Sequence, residues 1–511
     1  MRVLRRLQFL SQLQIGGALL RGLLLLFLLV IGLGIRLVDL KDPPLDFHAA
    51  RQLRSAILAR SFYYQFDRQA DLVLRQEALR LGQLEIYEPP ILEMLVGLTD
   101  VLFKQENFWF GRVYNAFFWC LGGVAMFFSA RRFLSYPAAL TGLAFYLYLP
   151  FSVIASRSFQ PDPWMVMWIL VAVYTLLRWS ERPEDWKWTI LAGLAGAMAI
   201  LVKIFAVFFL APILLAVFFS AVGLRGLFRR LQPWVLSLLT VTPALGYYLF
   251  LNPQRSSDFF SFWVVSLSKL TLQTNFYADW LAMIKGLTGL TTVVAALLGV
   301  MVAASRLRAL LAAGWLGYAL YGLTFPYQYT THEYYHLPLI ALMAFSLMPF
   351  MEAFVQQLRR QAVIWHVAAL GVLLFASFYG IYVSRSILIA ASYELEPASW
   401  RRVGEAIPAG KSFVALTADY GMRLNYYGWR QASDYWPSSA DLNLFTLSGN
   451  DAIDYDRRFE EITAGKDYFL VTAFSEFEAQ PRLKEILTTN YPVAAEGSGF
   501  IVFDLTRHVK E

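Results

Sequence analysis

Long apolar runs recur along the first three quarters of the chain, each close to the roughly 20 residues that carry a helix across a bilayer. Short polar segments separate them, and no even alternation of the kind that marks a membrane β-barrel is present. The pattern predicts about eleven transmembrane helices, centred near residues 29, 120, 143, 171, 195, 213, 242, 293, 317, 344 and 373. Thr189 to Val222 is read as two short helices turning around Lys203, with one long tilted helix as the competing reading. Beyond about Glu396 the long apolar runs cease. Strand-like segments SFVALT, DYFLVTA and GFIVFDL follow, with a helix-like QPRLKEILTTN between the last two, so 396–511 reads as a small soluble α/β domain. The division expected is a transmembrane domain over 1–395, carrying a large loop at 40–108, followed by that domain.

Composition agrees with this class. With 58% apolar, 16% aromatic and 16% charged residues, 511 residues hold too little polar material to cover a water-soluble globule. The net charge of +7 is explained by topology, without nucleic acid as a partner. A cytoplasmic N-terminus places Arg2, Arg5 and Arg6 inside, followed by Arg131 and Arg132, the Arg178 to Lys187 group, Arg225 to Arg230, Arg306 and Arg308, and Arg359 and Arg360. The loop 40–108 also carries arginines, but it exceeds the length to which the positive-inside rule applies. An odd number of spans then puts 396–511 outside a multi-pass cell-membrane protein. The first apolar run is longer than a signal-peptide core and lacks a small-residue cleavage site, so it reads as a retained helix. Cys120, the single cysteine, excludes an intramolecular disulfide, and IGLGIR lies inside a span, where it is no dinucleotide fingerprint.

This topology brings Asp46, Glu88, Asp162 and His332 to one membrane face. Asp46 follows Pro43 and Pro44 at the membrane edge; it reads either as a general base or as a helix cap. Glu88 precedes Pro89 and Pro90, residues suited to a first helical turn, so its carboxylate is functional or capping. Glu93, in the apolar segment that follows, is a weaker candidate. Asp162 stands between two prolines where a span enters the membrane, with Arg157 just before it; such charges face a polar cavity rather than lipid. His332 and His336 are spaced to share a helical face, which suits a divalent metal, although Tyr and His also populate the interfacial belt. Lys203 either snorkels or binds a phosphate.

The ordered segments PPLDFHAARQ, YEPPILEML, FQPDPWMV, ILVKIFAV and HEYYHLPL resemble the GT-C superfamily of membrane glycosyltransferases. The likeness is to the branch containing dolichyl-phosphate-mannose protein mannosyltransferases and bacterial aminoarabinose transferases acting on lipid A. The resemblance implies a GT-C-like fold and transfer of a sugar from a polyprenyl-phosphate donor to a protein, lipid or glycan acceptor, at the outer face and with inversion. It implies catalytic roles for Asp46, Asp162 and Glu88, phosphate contacts from Arg157 and Lys203, and a divalent metal ion held by Glu88 and His332. The chain departs from the pattern in the first loop: many members carry two adjacent acids there, whereas Phe47 and His48 follow Asp46. A transporter or flippase for lipid-linked glycans is the alternative, but it would place charges deeper in the spans and show inverted repeats.

Overall fold

The computed structural model describes residues 18–509, so the basic cluster at Arg2, Arg5 and Arg6 lies outside the described residues. Among those described, every expected span has a helix. Six are long and apolar enough to cross a membrane: Leu19–Arg36, Trp109–Ala130, Asp162–Glu181, Gln232–Leu251, Glu333–Leu358 and Val363–Leu388. Three more correspond to bent pairs, Tyr136–Tyr148 with Pro150–Arg157, Ala206–Ala221 with Gly223–Arg229, and Thr274–Thr288 with Leu290–Val302. The remaining two are the 17-residue helix Trp186–Val202 and the helix Ser305–Thr324, which begins with two arginines. The stretch around Lys203 is two helices, as the first of the two readings had it.

Local chemistry explains the irregular spans. Pro150 cannot donate to the preceding turn, the helix bends by 60° there, and carbonyls at the break are released. The buried Arg36 guanidinium fills one of them, donating to Leu147 O at 3.0 Å as well as to Ser156 Oγ, Ser152 Oγ and Gly32 O. A cation inside a span persists because its donors are satisfied in this way. Elsewhere small residues admit close helix contact: a Cβ at Gly317 would stand 2.4 Å from Phe208 O, so the Ser305–Thr324 helix seats against Ala206–Ala221 at that point.

The chain divides into two compact units. Of the described residues, the first comprises 18–40, 87–89 and 111–390; the second comprises 41–86, 90–110 and 391–509. The second unit contains a five-stranded sheet: β1 (Phe413–Leu416), β2 (Asp434–Tyr435), β3 (Tyr468–Val471), β4 (Val493–Gly497) and β5 (Phe500–Asp504). Its spatial order is β2-β1-β3-β5-β4, with β1 parallel to β2 and β3, and β5 antiparallel to β3 and β4. Side-chain alternation sends Val414, Leu416, Phe469 and Phe503 into one core and Phe413, Ala415, Leu470 and Val502 into another, so both faces are covered. Phe459 and Leu483, from helices Tyr455–Thr463 and Pro481–Asn490, close the first core; Trp400 and Val403, from Glu396–Glu405, close the second. The loop segments 41–86 and 90–110 belong to the same unit, in which Ile91–Phe103 lies so closely against helix Ala49–Phe66 that a Cβ on Gly97 would meet Phe62 Cβ at 2.6 Å.

Candidate active site

Within the first unit, three residues far apart in sequence converge. Asp162 is the first residue of helix Asp162–Glu181, where the helix dipole favours negative charge, and it is buried. Lys203 caps the C-terminal end of Trp186–Val202 in an extended conformation (φ −157°, ψ 121°), and this break between two helices turns its side chain inward. The buried ammonium meets both Asp162 oxygens, Oδ1 at 2.8 Å and Oδ2 at 2.9 Å, and Glu88 Oε1 at 3.9 Å. The aromatic rings of Phe205, Tyr334 and Tyr335 lie 5.3 to 5.4 Å from Lys203 Nζ. Two carboxylates therefore share one ammonium. With all three ionised, the trio carries one net negative charge, and the Asp162 pair is closed while the Glu88 contact is longer than a hydrogen bond.

Glu88 also borders an apolar cavity of about 240 Å³ lined by Tyr87, Phe205, Phe208, Tyr248 and Phe325 among others. One wall residue, Phe205, thus touches both the ion cluster and the cavity. The arrangement offers a charged head site continuous with apolar volume, the lining expected where an amphiphile binds.

The other sequence candidates occupy distinct settings. Arg157 is buried at the end of Pro150–Arg157 and donates to Val38 O and, at 2.8 Å, to Asp39 O, while Arg112 reaches Leu40 O; the two arginines hold the turn that ends the first span. His332 stands between two short helices and contacts Thr331 Oγ1 at 2.7 Å, and its ring lies 6.2 Å from that of Tyr335. The segment from 333 to 336 is a single tight 3₁₀ turn outside the regular helix, so the two histidines do not line one α-helical face. His336 is fully buried, bonded to Tyr318 Oη at 2.7 Å and Tyr329 O at 2.9 Å. Asp46 belongs to the second unit. It is not the cap of Ala49–Phe66, a position taken by His48 in a left-handed conformation; instead Asp46 Oδ1 accepts from Gln52 Nε2 at 3.0 Å. Glu93 accepts from Ser55 Oγ within the same unit. Helix Ile91–Phe103 takes Pro90 as its cap, so Glu88 stands before the helix rather than on it.

Among the described residues, no three His, Cys, Asp or Glu side chains are grouped to hold a metal. Between Asp162 and Glu88 the cation is Lys203 itself. Sequence reasoning missed the ring contacts of Tyr334 and Tyr335 with Lys203 and the role of Tyr248 in the cavity. The segment HEYYHLPL signalled the first two, but as an interfacial belt.

Comparison with known proteins bears on this geometry. Residues 87–249 match the family model for dolichyl-phosphate-mannose-protein mannosyltransferase, a segment that includes Glu88, Asp162 and Lys203. The fold is similar to that of ArnT from Cupriavidus metallidurans bound to undecaprenyl phosphate, at 15% identity and a TM-score of 0.58, covering 95% of this chain and 98% of that one. It is also similar to the Archaeoglobus fulgidus oligosaccharyltransferase in complex with Zn and sulfate, at 14% identity and a TM-score of 0.51, covering 93% and 73%. The third comparison is AglB from Archaeoglobus fulgidus with an inhibitory peptide and a dolichol-phosphate, at 13% identity and a TM-score of 0.50, covering 94% and 74%. No curated protein sequence gives a significant match. These likenesses show a fold shared with ArnT and the archaeal oligosaccharyltransferase, in keeping with the resemblance read from the sequence.

Proposed function

We propose that the protein transfers one sugar from a polyprenyl-phosphate donor to an acceptor hydroxyl at the outer face of the membrane, inverting the anomeric carbon. The observation that carries this reading is the buried Lys203 ammonium, held by Asp162 and near Glu88, beside an apolar cavity that Glu88 and Phe205 border: a cation for an anionic head next to volume for its apolar chain. Asp46 takes the acceptor proton as the hydroxyl oxygen attacks the anomeric carbon. The bond from that carbon to the phosphate oxygen breaks, and its electron pair leaves with the phosphate. One displacement from the opposite side inverts the centre. Lys203 and Arg157 supply the positive charge that a departing phosphate needs. Asp162 orients the Lys203 ammonium, and Glu88, outside hydrogen-bond range of it, takes hydroxyls of the sugar or a proton. No step is routed through a metal, because Lys203 stands between the carboxylates. The same proposal places the N-terminus in the cytoplasm and the 396–511 domain outside, an orientation that the basic short loops support.

The test is transfer by purified protein in lipid nanodiscs, with a panel of undecaprenyl-phosphate sugars that includes mannose and aminoarabinose. Release of undecaprenyl phosphate together with a glycosylated acceptor supports the reading. Donor binding without bond cleavage across the panel favours a lipid-glycan carrier and rejects it.

A further inference from the structure

The second unit holds a buried cation that the proposed reaction does not use. Arg60, on helix Ala49–Phe66, donates through Nε to Glu106 Oε1 at 2.9 Å and through Nη1 to Tyr426 O at 2.7 Å, with Nη2 2.8 Å from the same Glu106 oxygen. Its guanidinium is packed against Tyr426 and Trp429, 4.0 and 4.3 Å from the ring centroids. These rings come from helix Met422–Gly428 and its cap, more than 360 residues along the chain. Trp429 is held in a left-handed conformation (φ 51°), as are Asp419, Tyr420 and Gly421 at the other end of that short helix. A non-glycine backbone kept there needs the surrounding contacts to hold it.

A second attachment lies on the other side of Asp46. Asp42 Oδ1 accepts from Tyr393 N at 2.9 Å and from Ser392 Oγ at 3.4 Å, both at the start of the C-terminal segment. The segment from 42 to 60 is thus gripped at both ends by residues from 391 onward, with Asp46 between the grips. Inside it, Gln52 on the same helix as Arg60 donates to Asp46 Oδ1 at 3.0 Å and to Phe47 O at 2.8 Å. Two helical turns, about 12 Å of rigid rod, separate Gln52 from Arg60.

We propose that Arg60 is a positioning residue through which the C-terminal α/β domain sets the place of the Asp46 carboxylate; this rests on Asp46 being the base of the proposed reaction. The Arg60 contacts and the Asp42 grip fix the segment, and Gln52 passes its position to the carboxylate. A misplaced base lowers turnover without touching the donor head site, whose residues belong to the other unit.

The experiment measures transfer kinetics of the full chain in nanodiscs, with the undecaprenyl-phosphate sugar that the wild type uses. Arg60→Met is expected to lower kcat roughly ten- to a hundredfold, with KM for the donor within about twofold. Arg60→Lys keeps a cation at the rings and recovers part of the loss. The deciding readout is coupling: if Arg60 acts through Asp46, Arg60→Met on an Asp46→Asn background costs nothing further. A normal kcat in folded Arg60→Met, or losses that multiply in the double variant, overturns the proposal. Should Arg60→Met not fold, Asp42→Ala carries the same expectations and the same two overturning results. A fully active Asp46→Asn sinks the functional reading and this proposal together, whereas an impaired Asp46→Asn beside a fully active Arg60→Met sinks this proposal alone.

Discussion

Two buried cations, one in each unit, are built from similar parts and differ in balance. Arg60 is matched by one carboxylate, Glu106, and a carbonyl, with the rings of Tyr426 and Trp429 packed on its guanidinium. Lys203 has rings around it as well, yet it faces two carboxylates and stands beside an open apolar volume. A burial that is charge-matched and filled fixes chain segments. A buried cation next to unfilled apolar space is a place where an amphiphile with an anionic head can bind. The difference separates scaffold from reaction site more sharply than burial alone does.

The largest expected effect tests which carboxylate does the chemistry. Asp46→Asn keeps the Gln52 contact in shape but removes the base, and transfer should fall by about a hundredfold to ten-thousandfold. Normal transfer by Asp46→Asn beside a dead Asp162→Asn would move the role to Asp162 and erase the contrast. Next comes Lys203→Met, which strands the Asp162 carboxylate in a buried site; thermal or denaturant unfolding in detergent should show a loss of about 3–5 kcal/mol. Adding Asp162→Asn should restore much of it, because the orphaned charge is then gone. Unaltered stability in the single variant would mean that the pair does not hold the two helices.

A further effect concerns pH and the second unit. Burial in helix Ile91–Phe103 pushes the Asp100 carboxyl up to about 8, against an accepted bond from Asn107 N that acts in the opposite direction. A raised carboxyl pKa means that the folded state holds a proton which the unfolded chain releases near pH 4. This contribution is therefore full below about pH 4 and is lost as pH climbs towards 8. Asp100→Asn should flatten the melting temperature between pH 5 and 8, while an identical pH slope in both proteins would contradict the assignment.

Much of the architecture was legible because membrane solvent imposes length and polarity on each span. Lys203 announced a helix break by standing between two apolar runs too short to be independent of it. Short apolar runs rich in β-branched and aromatic residues exposed β1, β3 and β5, but the edge strands escaped: β2 is two residues long, and β4 is mostly exposed. The Asp162 to Lys203 pair joins positions 41 apart in separate helices, a contact that periodicity does not encode. The histidine spacing misled for a related reason, since i and i+4 share a face only in an α-helix and the chain makes a 3₁₀ turn there. The link from Arg60 to Tyr426 lay beyond any local signal.

The most direct test of the central claim is the dependence of transfer on the cavity beside Glu88. Ser256, a wall residue on the short helix Pro253–Phe260, can be replaced by Trp to fill that volume while Asp162, Lys203 and Glu88 are left unsubstituted. KM for an undecaprenyl-phosphate sugar, measured in nanodiscs, should rise at least about tenfold in Ser256→Trp, the scale of losing a few buried methylenes, with folding intact. An unchanged KM would show that the donor's apolar chain does not occupy this cavity and would contradict the account.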